Sequence, residues 1–296
     1  MKILLTGHNG FLGNKIKDKL SKFTEIKTLG RNNSDFNYDL KNRDLNFKEN
    51  FEIIIHCAGK AHSIPKSKFE IQDFYNINVN GTKNLLENLN IKPPKHFVFI
   101  SSVAVYGTVN GNNLNENSPF EAKDPYGISK IQAEKIIQDW CDKHDVLCTI
   151  LRLPLVVGEN PPGNLGAMIK GIKKGYYFNI KGGHSRKSMV LADDVAKFIL
   201  KAAEVGGIYN LTDGYHPNFY EISHLIANQL GKSYIPNMPN FIAKFLAKIG
   251  DLIGPKFPIN TDKYLKITSD LTFDDSKARE AFGWDPTPVL KGFKIK

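Results

Sequence analysis

The stretch Leu4-Leu5-Thr6-Gly7-His8-Asn9-Gly10-Phe11-Leu12-Gly13 decides the fold. A short apolar run leads into glycines spaced Gly-x-x-Gly-x-x-Gly, and an amphipathic helical pattern follows at once. Read as strand, turn and helix, the first glycine permits the tight turn. The second lets a pyrophosphate approach the backbone at the positive end of the helix dipole, and the third lets the helix pack closely on the strand. Gly7, Asn9, Gly10, Phe11, Leu12 and Gly13 are therefore expected to hold a dinucleotide. No Gly-Lys-Ser/Thr follows, so this is not a Walker-type phosphate loop.

Outward from that turn, short β-branched runs alternate with helical patterns. Strands are predicted at residues 2–6, 26–29, 53–56, 97–101 and 148–153, and helices at 11–22, 74–89 and 126–143. That alternation is the signature of a doubly wound parallel α/β sheet. After residue 153 the character changes, with Gly158-Glu159-Asn160-Pro161-Pro162-Gly163 reading as a loop that leaves the sheet. Helices are predicted at 165–174, 193–203, 220–230 and 241–252, and a strand at 208–211 returns to the sheet. The expected organisation is a dinucleotide-binding unit at 1–160 with about 187–212, and a smaller interleaved substrate lobe at 161–186 and 213–296. Phe241 and Phe245 stand at helical spacing and are expected to pack in that lobe.

The chain has 296 residues and a formal charge of +10, with a composition ordinary for a soluble globular protein. No apolar stretch approaches the length of a membrane span, and the N-terminus runs straight into the glycine turn without a signal-peptide pattern. Cys57, Cys141 and Cys148 are odd in number and lack ligand spacing, which reads as a reduced, cytoplasmic protein. The lysines are scattered, as with Lys15, Lys17, Lys19 and Lys22 on one helix, and there is no arginine-rich arm. A solvated basic surface that attracts an anionic small substrate fits better than a nucleic-acid partner. His8, His56, His62, His144, His184 and His216 show no metal-ligand spacing, so no metal is expected; His56 ends a strand and should be packed. Asp193-Asp194 opens a helix and reads as a cap.

Chemistry enters at Asp124-Pro125-Tyr126-Gly127-Ile128-Ser129-Lys130. Tyr126 and Lys130 stand four apart at a helix start, which puts a phenol and an ammonium on one face. A free tyrosine keeps its proton until about pH 10. A nearby cation favours the phenolate and should lower that value, making the pair an acid/base device for a sugar or alcohol oxygen. The tip of the second strand carries Leu29-Gly30-Arg31, with no carboxylate to bind a ribose 2′-hydroxyl. Arg31 there favours NADP(H) over NAD(H), and Asp39 could serve the adenine side with either.

With these pieces placed, the chain resembles the extended short-chain dehydrogenase/reductase family of sugar-nucleotide epimerases, dehydratases and reductases. The matching stretches run in order from residue 3 to about residue 286. They are the glycine turn, Asp39-Leu40, Ile55-His56-Cys57-Ala58-Gly59, Asn78-Val79-Asn80-Gly81-Thr82, Ser101-Ser102-Val103-Ala104-Val105-Tyr106-Gly107 and the Tyr126/Lys130 pair. Leu151-Arg152-Leu153-Pro154, Arg186, Asp193-Asp194-Val195 and Phe282-Gly283-Trp284-Asp285-Pro286 complete the series. Within the family, Pro161-Pro162-Gly163-Asn164 and Arg186-Lys187-Ser188 resemble bacterial polysaccharide-locus enzymes that act on UDP-N-acetylhexosamine derivatives.

The resemblance implies a Rossmann-type sheet and a role for each matching residue. It makes Ser102, Tyr126 and Lys130 catalytic, with Ser102 bonding the reacting sugar oxygen and Lys130 the nicotinamide ribose. It places Asp39, Leu40, Cys57, Ala58, Gly59, Asn78 and Pro154 around the cofactor. It assigns Ser102, Asn164 and Arg186 to the substrate, with Arg186 clamping a diphosphate. Two departures matter. A 4,6-dehydratase needs an acidic pair where this chain has Val103-Ala104. The second clamping arginine is missing, and Lys263 or Lys266 could replace it. The expected function is reduction of a 4-keto nucleotide sugar by NADPH for polysaccharide precursors, with NAD-dependent UDP-sugar 4-epimerisation as the alternative. A reductase of a small apolar carbonyl and a non-catalytic dinucleotide sensor are weaker rivals. The helices near residues 80 and 135 could form the family's four-helix homodimer contact.

Overall fold

In the computed structural model, which describes residues 1–296 apart from 44, 46–48, 62–64, 66, 255–256 and 296, strand β1 (Lys2–Thr6) is apolar on both faces. Ile3 and Leu5 point into one core and Leu4 into another, the period-2 consequence of an extended chain buried on both sides. The chain continues through α1 (Phe11–Leu20), β2 (Glu25–Gly30), β3 (Phe36–Asn37), β4 (Ile53–His56), α2 (Lys68–Tyr75), α3 (Gly81–Leu89), β5 (His96–Ser102) and β6 (Gly111–Leu114). Then come α4 (Pro125–His144), β7 (Leu147–Leu153), β8 (Leu155–Val157), α5 (Gly163–Lys174), β9 (Asn179–Ile180), β10 (Met189–Leu191), α6 (Ala192–Val205) and β11 (Gly207–Asn210). The C-terminal part holds α7 (Phe219–Gln229), β12 (Asn237–Met238), α8 (Asn240–Ile253), α9 (Thr261–Thr268), β13 (Leu271–Phe273), α10 (Ser276–Phe282) and α11 (Val289–Gly292).

Seven strands form one parallel sheet in the order β11-β7-β5-β4-β1-β2-β3. The order reverses between β1 and β4, the topological switch point at whose carboxyl edge such sheets bind ligands. Side chains of α1 and α6, with Phe282 and Trp284, fill one face. Side chains of α3 and α4 fill the other. Three two-stranded parallel pieces, β8 with β10, β9 with β12 and β6 with β13, tie the C-terminal half together and back to the sheet side.

The doubly wound α/β fold and the returning strand are as expected, and four details differ. The single helix expected at 74–89 is α2 and α3 joined by a π turn at Asn76–Asn80, where the Gly81 N–H reaches the Asn76 carbonyl five residues back. Asp193 and Asp194 do not cap α6: its N-cap is Leu191, and both acids lie in the first turn. There Asp194 accepts from the Thr287 N–H at 2.7 Å, and Asp193 pairs with Lys15 at 3.7 Å. Phe241 and Phe245 do not pack in the lobe; they are 74% and 65% exposed. The small pieces β3, β6, β8–β10, β12 and β13, two to four residues each, were too short to show a period. Among the described residues no helix is long and apolar enough to cross a membrane, and no three His, Cys, Asp or Glu side chains gather as a metal site; His62 lies outside those residues.

Candidate active site

The glycine turn is built by close approach. Gly7 has φ +73°, and a Cβ there would lie 2.6 Å from the Ala58 amide nitrogen at the end of β4. A Cβ on Gly13 would lie 2.2 Å from the Gly7 carbonyl oxygen, so strand and helix touch backbone to backbone. The N-cap of α1 is Gly10, whose N–H closes the turn on the Gly7 carbonyl at 2.9 Å; no side chain caps the helix. Asn9 and Gly10 are exposed at the mouth of an open cleft of about 400 Å³ that runs to Asn160 and Pro162. Phe11 is half-buried, and Leu12 packs inward against the core. An uncapped helix N-terminus on a glycine turn at a sheet switch point fits a dinucleotide pyrophosphate.

At the far side of the turn, Asn9 donates to the Asn32 carbonyl at 2.9 Å and joins it to the loop after β2. Arg31 is exposed on that loop. The nearby acid, Asp35, is turned back and accepts from the Thr28 N–H and hydroxyl, at 2.9 and 2.7 Å. Asp39 closes a local turn by accepting from the Lys41 N–H at 3.0 Å, while the Leu40 side chain is core. His8 is buried beneath this rim. Its Nε2 bonds the Asn33 carbonyl at 2.9 Å, and its Nδ1 is buried without a protein partner.

The second half of the site is set by α4. Asp124 is its N-cap, accepting from the Tyr126 and Gly127 N–H groups at 3.1 Å each, and Pro125 occupies the first helical position. This start fixes where Tyr126 leaves the helix. Its phenol comes close enough to the Ser102 side chain, which arrives from the carboxyl end of β5, to feel the hydroxyl. Ser102 Oγ also accepts from the Ala104 N–H at 3.2 Å, so the residue caps the short 3₁₀ turn Val103–Tyr106 as well. Lys130, one turn along α4, is buried. Its ammonium donates to the Ile100 carbonyl at 2.8 Å and lies 4.4 Å from the Phe99 ring centroid. A Cβ on Gly59 would come within 3.5 Å of that nitrogen.

The structure thus brings Ser102, Tyr126, Lys130, Cys57 and Gly59 together at the carboxyl edge of the sheet beside the glycine turn. The expected electrostatics are reversed for the phenol. Burial pushes Tyr126 above its ordinary value; the Ser102 hydroxyl pulls it down, and Asp124 and Cys57 push it further up. Lys130 does not bond it but holds the β5 backbone. Burial lowers Lys130 to about 8, with Cys57 and Glu134 opposing. Burial also raises the Cys57 thiol to about 12, so it is no nucleophile.

Asn78 is placed by the π turn. Its oxygen accepts the Lys60 N–H at 2.7 Å, and its amide group donates to the Lys60 carbonyl at 3.1 Å and to Ser129 Oγ at 2.9 Å. It pins the loop that carries Gly59 to α4. Pro154 joins β7 to β8 near the same edge. Asn164 is exposed in the first turn of α5.

Arg186 stands apart in the C-terminal half, exposed, with its guanidinium held by the Tyr215 and His216 carbonyls at 2.7 and 3.3 Å. The two lysine alternatives differ in their surroundings. Lys263 donates to the Pro258 carbonyl at 3.1 Å, whereas Lys266 lies close enough to act on Lys187, next to Arg186. Burial first, and then Lys266, bring Lys187 down to about 8, against the pull of Asp270. A residue missed entirely is Glu134. Buried under Ser101 and Lys130, it receives the Arg152 guanidinium at 2.7 Å.

This fold and its glycine turn define a class, the dinucleotide-binding proteins of the doubly wound α/β type. The chain matches the NAD dependent epimerase/dehydratase family over residues 3–212 and belongs to it. It is 28% identical to the N-acetyl-α-D-glucosaminyl-diphospho-ditrans,octacis-undecaprenol 4-epimerase of Escherichia coli O157:H7, over 98% of this chain and 92% of that protein. The UDP-glucose 4-epimerase of Thermotoga maritima, solved with UDP-glucose, superposes with a TM-score of 0.78 at 21% identity, covering 99% of this chain and 96% of that one. RMD of Pseudomonas aeruginosa, solved with NADPH, gives 0.73 at 22% identity, over 98% and 95%. The protein is an NAD(P)-dependent enzyme of the extended short-chain dehydrogenase type that handles activated sugars.

Proposed function

We propose that this enzyme transfers hydride at C4 of a hexose or hexosamine carried on a diphosphate, and that it runs the reaction as a 4-epimerisation. The observation that carries the reading is the gathering of the Tyr126 phenol and the Ser102 side chain at the carboxyl edge of β5, with the Lys130 ammonium, bonded to the Ile100 carbonyl at 2.8 Å, one helical turn along α4. A relative alignable along nearly the whole chain is a 4-epimerase, which favours inversion over net reduction.

The residues divide the work as follows. Gly7, Gly10 and the N-terminus of α1 hold the pyrophosphate of a nicotinamide dinucleotide, with Asn9, Phe11, Leu12 and Gly13 shaping the turn. The cofactor supplies reversible hydride transfer when bound. Ser102 binds the sugar O4. Tyr126 takes the O4 proton as the alcohol becomes a ketone and returns it after the sugar has presented its other face. Burial keeps the phenol protonated at neutral pH, so it is ready to donate; to take the O4 proton it must first lose its own to solvent, a step that the positive charge of Lys130, present below about pH 8, would favour. Arg186, with Lys187 and Lys266, binds the diphosphate. Asn164 contacts the substrate from α5.

A second reading, reduction of a 4-keto sugar by NADPH, rests on the rim of β2. Arg31 is exposed there, and Asp35 on the same loop is committed to Thr28, which favours a 2′-phosphate over a free 2′-hydroxyl. Mass spectrometry of the nucleotide released from purified, denatured protein separates the two. Retained NAD⁺ supports epimerisation, whereas empty protein that consumes NADPH with a 4-keto sugar supports reduction. Under either reading Tyr126→Phe lowers turnover by about 10²–10⁴-fold while dinucleotide binding survives. Near-normal turnover in that variant would end the assignment.

A further inference from the structure

Helix α8 is built inside out. The sequence Asn240-Phe241-Ile242-Ala243-Lys244-Phe245-Leu246-Ala247-Lys248-Ile249-Gly250-Asp251-Leu252-Ile253 is strongly apolar on one side, yet the side that packs on the protein is the small one. Ala243, Ala247 and Gly250, spaced i, i+4 and i+7, are its buried residues. Gly250 sits so close to the following loop that a Cβ would fall 1.8 Å from the Ile259 carbonyl oxygen. At about 100° per residue, Phe241, Phe245 and Leu252 lie on a stripe roughly opposite that face. They are 74%, 65% and 89% exposed, and Ile253 beside them is 60% exposed. Single exposed apolar residues are ordinary, but a helical stripe of them is not.

The charges say what covers the stripe. Lys244 and Lys248 border it along one side of α8, and both are exposed. Residues 232–268 carry Lys232, Lys244, Lys248, Lys256, Lys263 and Lys266 against Asp251 and Asp262 alone. Asp251 is held by the Thr261 N–H and hydroxyl, a clamp that joins α8 to α9. A second copy of the chain docked stripe to stripe would set lysine against lysine. An anionic bilayer surface offers the complement to both features, hydrocarbon for the aromatic stripe and headgroup charge for its lysine border.

We propose that α8 is an in-plane membrane-docking helix that seats this enzyme on a bilayer rich in anionic phospholipid. No spanning segment is needed, since an amphipathic helix buries only its apolar face in the headgroup boundary. The docking holds whichever carrier bears the sugar.

The test is co-sedimentation of the purified full-length chain with phosphatidylglycerol-containing vesicles and with phosphatidylcholine vesicles. Binding to the anionic vesicles, weakened by salt, is expected. The double variant Phe241→Ser/Phe245→Ser should weaken it about tenfold or more, with its thermal midpoint and dinucleotide binding unchanged. In a separate variant, Phe245→Trp, emission should shift to the blue when anionic vesicles are added. Three results overturn the proposal: no binding to anionic vesicles at low salt, equal binding by the double variant, or a dimer in sedimentation velocity that the double variant dissolves while vesicles recruit neither form.

Discussion

His56 shows how one buried side chain can be assigned its proton. The Ala58 N–H donates to Thr6 Oγ1 at 3.1 Å, and Thr82 Oγ1 donates to the Asn78 carbonyl at 2.7 Å. Those two bonds direct the rest: the Thr6 hydroxyl donates to His56 Nδ1 at 2.7 Å, and His56 Nε2–H donates to Thr82 Oγ1 at 2.9 Å. The neutral imidazole satisfies every partner, and the chain of bonds ties β1 and β4 to the π turn that carries Asn78. A second proton, on Nδ1, would force the Thr6 hydroxyl to turn its own hydrogen away from the ring. Burial, and then the Lys130 charge, lower His56 from 6.5 to about 3. Between those values the unfolded chain binds a proton that the folded chain refuses, so stability falls as pH falls through the window. The slope from this one group approaches about 1.4 kcal/mol per pH unit. Urea unfolding between about pH 7 and pH 5 should show that slope, and His56→Asn should flatten it; His216, also lowered by burial, keeps part of it in the variant. The packing of His56 could be read from its place at a strand end. Its tautomer could not, because both threonines come from other elements.

Among the elements, β5 and α4 matter most, because the site is the place where they meet. Beneath the active-site edge Glu134 of α4 accepts from Ser101 of β5 and from Arg152 of β7, whose guanidinium also donates to Tyr106 at 3.1 Å and lies 4.7 Å from the Phe120 ring. Glutamate and arginine are almost fully buried. Removing one partner leaves an uncompensated buried charge, at a cost of about 3–5 kcal/mol. Arg152→Met should therefore cost about that much in urea unfolding, and the double variant Glu134→Leu/Arg152→Met should recover most of it. Failure of the double variant to recover would mean that packing around Phe120 and Tyr106 dominates instead. Glu134 also holds Lys130 up against burial, so Glu134→Gln should move the alkaline limb of activity to lower pH. The elements themselves were legible, because a glycine turn, an Asp-Pro helix start and apolar strands are local signals. The Glu134–Arg152 pair was not, because 18 residues separate its members and they stand on different elements, α4 and β7. For Phe241 and Phe245 the periodicity showed an apolar face but carried no information on what lies opposite it.

At the scale of the whole molecule, the C-terminal half completes the N-terminal one. Strand β11 pairs with β7 at the sheet edge, and its Tyr209, with Phe282 and Trp284 beyond it, fills the same core as Ile3, Leu5 and Ile16. Trp284 is 2% exposed, packs edge-on against Phe198 and donates to the Thr212 carbonyl at 3.0 Å. The only other tryptophan, Trp140, lies across the sheet against Phe97 and bonds Asn90 at 2.7 Å. The two indoles therefore report on opposite faces of one sheet. A core shared between distant segments predicts cooperative loss of both. In Trp140→Phe, where fluorescence reads Trp284 alone, the urea transition should coincide with that of far-ultraviolet circular dichroism. An earlier fluorescence transition would mean that the segment after residue 206 opens by itself and that the sheet survives without its last strand. The bare edge of β7 makes that outcome costly, because its buried backbone groups and the apolar cavity left by Phe282 and Trp284 would open to water together.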